Sequence, residues 1–350
     1  MRCNPLFWAS IASLSLWLAP PVQANTQVST LMQEGRRLVE AGNYAQALAI
    51  YQQLLQSESR NPRVHSAIGY LYAQQGQFAD AAHAYQRAIE LDQQNADFYY
   101  ALGYSLGMMG ENHGAAAAYR QAIRLNNRNP QAYEGLAVIL ARIGDPQGAI
   151  QAYRSALSLD PRNWAAYKGL GVLLLQQHNI PDALSNLQQA AVLAPSNASI
   201  QLNLGMALLA AGDTSKGWQT LDRAANLGQR DVDLLQQVAE LAVAANQPER
   251  AIQTYRRLIT LQPERIATYF SLGELLMQQN NPLEAVAIYR QATQINARDP
   301  EAFYRLGTAL AVQGQRSEAR SAYQMALKLY REQNNRAGET KVREALKQRN

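Results

Sequence analysis

The residues of this 350-residue chain with side chains suited to catalysis or metal binding are few, and their spacing keeps them apart. A metal or acid–base centre needs imidazoles, thiolates or carboxylates converging on one point. His65, His83, His113 and His178 show no close ligand pair of the HExxH kind, and Cys3 is the single cysteine. Asp231 and Asp233 stand two residues apart, a placement that serves the backbone N–H groups of a helix start without any hydrolytic role. There is no GxSxG elbow and no glycine loop of the phosphate-cradling kind. The expectation is a protein that is not an enzyme and carries no cofactor and no metal. The 18 tyrosines are the remaining candidates: those that recur in strict register could be imagined as a stacking platform for bases, and their spacing decides against that role, while the tyrosines near Tyr100 could stack on sugar rings.

That spacing is 34 residues. Blocks of 34 laid from Val28 to Gln333 give nine repeats without insertion or deletion, starting at 28, 62, 96, 130, 164, 198, 232, 266 and 300. The eighth position holds Gly35, Gly69, Gly103, Gly171, Gly205, Gly273 and Gly307, with Ala137 and Ala239 in the other two repeats. The twentieth is alanine throughout except for Gly217. Small residues facing each other permit two antiparallel helices to approach closely. The twenty-fourth position is Tyr51, Tyr85, Tyr119, Tyr153, Tyr255, Tyr289 and Tyr323, with Leu187 and Leu221 between, so the tyrosines read as packing residues at the edge of a core.

The turns follow the same period. Gly42, Gly76, Gly110, Gly144, Gly212 and Gly314 fall between the two helices of their repeats, where a left-handed residue ends the first helix. His178, Asn246 and Asn280 hold that place in the other repeats, and Asn tolerates the conformation better than most side chains. Asp145-Pro146 and Asn281-Pro282 read as an N-cap followed by a first-turn proline, and Pro161, Pro195 and Pro263 as stops for second helices.

Composition and charge bound the partners. At 47% hydrophobic and 17% charged residues the chain is neither disordered nor highly charged. Most of its +5 formal charge lies in Arg2 and in the tail beyond residue 333, leaving the body near +1, which argues against nucleic acid. Arg2, the 14-residue apolar run at 6–19 and the small residues up to Ala24 read as a signal peptide over 1–24 cleaved before Asn25. The run is shorter than the ~20 residues of a bilayer span. The mature chain is therefore expected to be exported, periplasmic or extracellular, without a stable membrane span and without cysteine. Residues 334–350 are expected to form a C-terminal capping helix, over 336–348, and a basic tail.

Small residues at positions eight, twenty and twenty-seven, with Gly, an aromatic residue and Pro near fifteen, seventeen and thirty-two, resemble the tetratricopeptide repeat (TPR) family over 306 of 350 residues. The resemblance implies an all-α, right-handed superhelical solenoid of antiparallel helix pairs, whose first helices line a concave groove that receives peptides or helices of partner proteins. His65 and Gln201 stand where the family prefers Trp or Tyr, and only Tyr44 and Phe78 supply the aromatic residue at position seventeen, departures that imply looser packing.

The family pattern places groove residues at positions two, five, nine, twelve and thirteen. Here these include Tyr70, Tyr100, Tyr104, Met108, Glu134, Arg142, Lys168, Met206, Phe270, Met277 and Tyr304. The concentration of tyrosine and methionine in repeats 2 to 4 makes that stretch the expected principal contact, since such side chains supply adaptable area at low ordering cost. The carboxylate clamp of some family members is not supported: Lys168 and Asn203 match it, but Val172, Asp233 and Gln237 do not. The function expected is a non-enzymatic scaffold or adaptor of the cell envelope, binding a peptide or helical segment, with an envelope complex as its setting. Two alternatives stand beside it, a glycan-binding or exopolysaccharide-machinery component and an accessory subunit of an envelope enzyme. Only 17 residues follow Gln333, too few for a catalytic domain, so in the last case the activity would belong to a partner.

Overall fold

The computed structural model describes residues 26–347, and every regular element in it is an α-helix. The expected signal peptide at 1–24 lies outside the described residues. The helices form two compact blocks. Up to Pro195 they are α1 (Thr26–Glu40), α2 (Tyr44–Ser57), α3 (Pro62–Gln74), α4 (Phe78–Leu91), α5 (Ala96–Met109), α6 (Asn112–Leu125), α7 (Pro130–Arg142), α8 (Pro146–Leu159), α9 (Trp164–Gln176) and α10 (Ile180–Leu193). From Ser196 they are α11 (Ala198–Ala210), α12 (Thr214–Leu227), α13 (Val232–Ala244), α14 (Pro248–Leu261), α15 (Ile266–Gln278), α16 (Pro282–Ile295), α17 (Pro300–Val312), α18 (Arg316–Glu332) and α19 (Arg336–Lys347). Successive odd- and even-numbered helices up to α18 pair as antiparallel hairpins, one per 34-residue repeat, so the chain is an all-α stack of helix pairs.

Local chemistry sets each boundary. All nine turn residues singled out from the sequence have positive φ, between 52° and 84°. In the turn at Gly144 the N–H of Asp145 bonds to the Leu140 carbonyl at 2.9 Å, closing the last turn of α7. Asp145 then caps α8 through the Gly148 N–H at 2.9 Å, and Asn281 caps α16 through Glu284. Pro161, Pro195 and Pro263 follow the ends of α8, α10 and α14 by two residues. A further cap recurs at the last position of seven repeats, where Asn61, Asn95, Asn129, Asn163, Asn197, Asp231 and Asp299 accept an N–H from the next first helix. Such a cap contributes ~1 kcal/mol, and it is the role Asp231 plays in the Asp231/Asp233 pair.

Within each hairpin the small eighth position meets the large twenty-fourth. A Cβ on Gly171 would lie 2.7 Å from Leu187 Cγ, and one on Gly103 would lie 3.0 Å from the Tyr119 ring, so the absent side chain is what lets the helices close. The tyrosines reach further. A Cβ on Gly135 would lie 2.5 Å from Tyr119 Cζ, which places that ring beneath the first helix of the following repeat. Each position-24 ring or leucine is buried, and Tyr119 and Tyr153 tie two repeats together; full burial of such a side chain contributes ~1.5 to 3 kcal/mol.

The looser packing expected at His65 is corrected by its geometry. His65 Nε2 lies 2.9 Å from the Ser59 carbonyl, six residues earlier, and Tyr269 Oη donates to the Pro263 carbonyl at the same separation in sequence and 2.9 Å. The imidazole thus does the work of the phenol. Gln201 is also buried.

After α18, which has 17 residues against 14 in the other second helices of the second block, Asn334 adopts φ 55° and Asn335 caps α19 through the Gly338 N–H at 2.9 Å. This is the turn used inside a repeat, not between repeats. It brings Gly338 against the Tyr330 ring and buries Val342 completely.

Candidate functional site

Within each block the first helices of successive repeats come side by side, as α5 does with α7 and α15 with α17. Positions two, five, nine, twelve and thirteen lie on those helices, and the structure separates the expected groove residues into three groups. Tyr100 and Tyr104 are 3% and 8% exposed, far less than an aromatic contact surface requires. Tyr100 tilts against Tyr119 with ring centroids 5.9 Å apart, and Tyr104 meets the edge of Phe78 at 6.1 Å. Hairpins that close on glycine bring the neighbouring repeat over these rings, so their bodies are core. Tyr70 is half-buried against the same cores, and Met108 is exposed.

The second group is polar. Glu134 is 8% exposed, and its Oε2 accepts a 2.8 Å hydrogen bond from Asn163 Nδ2 while the same Asn163 caps α9 through the Ala166 N–H at 2.9 Å. Burial raises the Glu134 pKa, with the Asn163 bond and Lys168 acting the other way. Lys168 is half-buried, and that burial lowers its pKa although Glu134 opposes the shift. Arg142 crosses to the preceding repeat and donates to the Gly107 carbonyl at 3.0 Å, so its guanidinium is partly spent on holding α7 to α5.

The positional frame also contained Arg36 and Gln74, which the sequence reading passed over. Arg36 Nε, Gln74 Nε2 and Tyr100 Oη are buried donors with no hydrogen-bond partner among the described residues. They stand at positions nine, thirteen and five of repeats 1, 2 and 3. Tyr100 also feels Glu134, Tyr104 and Asp97, all at frame positions, and burial followed by these charges raises its pKa. Nothing in a single sequence marks Arg36 or Gln74 as unpaired, since that depends on what the neighbouring helix places opposite them.

In the second block Met206, Phe270, Met277 and Tyr304 are half-buried and pack against its core. Arg305 lies over the Phe270 ring at 5.0 Å and bonds to Glu274 at 3.2 Å, while Lys341 of α19 sits 4.0 Å from the Tyr304 ring centre and 3.1 Å from Glu301. Most polar groups there have internal partners. Asn203, which matched one clamp position, donates to the Ser199 carbonyl of its own helix at 2.7 Å.

Among the described residues no three His, Cys, Asp or Glu side chains gather as a metal site, and no helix is long and apolar enough to cross a membrane. The profile described as "TPR repeat" matches residues 35–76 and 69–110, and that described as "Tetratricopeptide repeat" matches 100–163, 168–231, 239–300 and 270–337. A TPR repeat-containing protein of Picosynechococcus sp. is 40% identical over 58 residues, which is 16% of this chain and 15% of that relative's length. The C-terminal part of a TPR repeat-containing protein from Cytophaga hutchinsonii superposes with a TM-score of 0.54 at 15% identity, over 69% of this chain and 98% of its own. The human IFIT1 dimer with PPP-AAAA gives 0.54 at 18% identity, over 86% of this chain and 72% of its own. At these identities the two structures share the fold with this chain and nothing more.

Proposed function

This chain belongs to the tetratricopeptide repeat family, a family of protein-interaction scaffolds, and from that premise we propose that it is an exported adaptor of the cell envelope. Its first-helix face in the first block receives a peptide or helical segment of another protein. The observation that carries this reading is the row of buried donors without acceptors, Arg36 Nε, Gln74 Nε2 and Tyr100 Oη. Leaving a buried donor unpaired costs ~1 to 3 kcal/mol, and a bound backbone supplies the missing carbonyls. Lys168 adds a partly desolvated cation, Glu134 a buried acceptor, and Met108 and Tyr70 apolar area at the rim. The glycan reading loses the surface it rested on, because the Tyr100 ring faces Tyr119 and is not free to stack on a sugar.

The test uses variants that keep shape. Tyr100→Phe removes only the unpaired hydroxyl, and Lys168→Met keeps the aliphatic stem. A partner captured from envelope extract by the wild-type chain should bind each variant about tenfold more weakly, ~1.4 kcal/mol, while Tyr100→Phe unfolds at equal or higher denaturant. Unchanged affinity in both variants would remove the first-helix face of repeats 3 to 5 from consideration. Export is tested separately by N-terminal sequencing of the chain from its native source, which should begin within a few residues of Asn25; an intact Met1 on a cytosolic species would sink that part of the proposal.

A further inference from the structure

On a different face, the second block carries a ladder of ion pairs that the first block does not continue among the described residues. In the second block, position twenty-five of one repeat pairs with position nineteen of the next: Arg290 with Glu318 at 2.6 Å, Arg256 with Glu284, and, with the charges exchanged, Asp222 with Arg250 at 3.3 Å. In the first block the corresponding arginine of repeat 3 is Arg120, and the residue 28 positions later is Gly148, which has no carboxylate to offer. A Cβ on Gly148 would crowd the Asp145 side chain in the position it takes to cap α8. Asp145 itself is occupied by that cap.

Arg120 makes no hydrogen bond and no ion pair among the described residues, and neither does Arg154, although Asp182 stands 28 residues after it. Arg120 does not simply point into open solvent. Together with Arg124 it borders an open cleft of about 530 Å³ between α6 and α7, whose other walls are Ala117, Ile123, Tyr133 and Leu136. Arg124 reaches only the Gln121 side chain on its own helix. Two guanidinium groups therefore stand over an apolar floor with an aromatic edge.

We propose that this cleft is a second docking site, distinct from the first-helix face, and that its ligand is an acidic peptide segment in which a Glu or Asp lies beside apolar residues. The carboxylate takes the place that Glu318 takes opposite Arg290, and planar guanidinium forks suit it. The apolar neighbours cover Ile123, Leu136 and the Tyr133 ring, which a bare inorganic anion would leave in water. Exposed charge pairs alone contribute ~0 to 1 kcal/mol, so the apolar contact is required for measurable binding.

The probe is a fluorescein-labelled peptide of sequence Leu-Glu-Phe-Glu-Leu, blocked at both ends and titrated into the full chain while fluorescence anisotropy is read. Saturable binding is expected, with methyl NMR shifts at Ile123 locating it. The exposed pair Arg120→Gln and Arg124→Gln should weaken it tenfold or more with helicity unchanged. The charge-matched pair Arg230→Gln and Arg265→Gln should change it less than twofold. Four results would overturn the proposal: no saturable binding, equal binding by the Arg120/Arg124 variant, equal binding of the glutamine form of the peptide, or full displacement by inorganic phosphate at concentrations comparable to the peptide. If Tyr100→Phe instead abolishes binding and the arginine pair does not, the peptide occupies the first-helix face; the cleft is then excluded and the proposed function stands.

Discussion

Burial holds the Glu134 carboxyl above the ordinary carboxylate range, against the pull of the Asn163 amide and Lys168. For an acid raised in the folded state, the stabilising contribution belongs to the protonated form. It is complete below the unfolded pKa and is lost as pH rises through the folded one. Glu134→Gln, which still presents an oxygen to Asn163, should therefore match the wild type in acid. It should become the more stable of the two as pH approaches neutrality, a divergence read from urea denaturation at several pH values. A constant difference across pH would mean that Glu134 titrates alike in the folded and unfolded chain, with no upward shift. Its position in the repeat was legible in the sequence, whereas its burial was not, because that depends on Asn163, 29 residues on at the end of the same repeat, folding back onto it. Tyr100 gives the same lesson: position five marks a face, and only the Tyr119 ring beneath it turns an expected contact residue into a core residue.

Among the elements, the turn inside each repeat was the most legible feature. Gly at position fifteen announces a left-handed residue, and the three repeats lacking it still adopt the conformation, at His178, Asn246 and Asn280. The tertiary hairpin imposes it whatever the side chain. An L-residue there costs ~1 to 2 kcal/mol, less for Asn, so His178→Gly should raise the unfolding free energy by about 1 kcal/mol and Asn246→Gly by less. Equal or negative effects in thermal melts would show that His178 is held by contacts beyond its backbone. Less legible was the role of position four, where His65 differs in type from Tyr269 yet makes the equivalent bond to a carbonyl six residues back. Residue type alone pointed to a defect that geometry repairs.

At the scale of the molecule, the last helix differs from the repeats before it. α19 joins α18 by the turn used inside a repeat, buries Val342, and puts Lys341 on Glu301 and over Tyr304. Ending the chain after Gln333 would uncover the Tyr330 ring and leave Glu301 without its lysine, and a bare terminal repeat exposes the apolar side its neighbour would have covered. The truncated chain should melt at a lower temperature and aggregate at concentrations where the full chain does not. Equal melting and solubility would show that α19 is a passenger.

The 34-residue period, the small-against-large seam and the turn chemistry were determined by the sequence alone, since each rests on short-range sterics that recur identically in every repeat. The period runs through Pro195 without a change of register, yet the packing divides into two blocks there. Likewise, which polar groups lack partners was decided only by tertiary structure. Arg36, Gln74 and Tyr100 are set by what the neighbouring helix brings opposite them, and Arg120 by a glycine 28 residues away, where other repeats place a charged side chain. Hydrogen bonds and ion pairs act over a few ångströms between residues far apart in the chain, so their absence becomes visible only when the repeats are stacked.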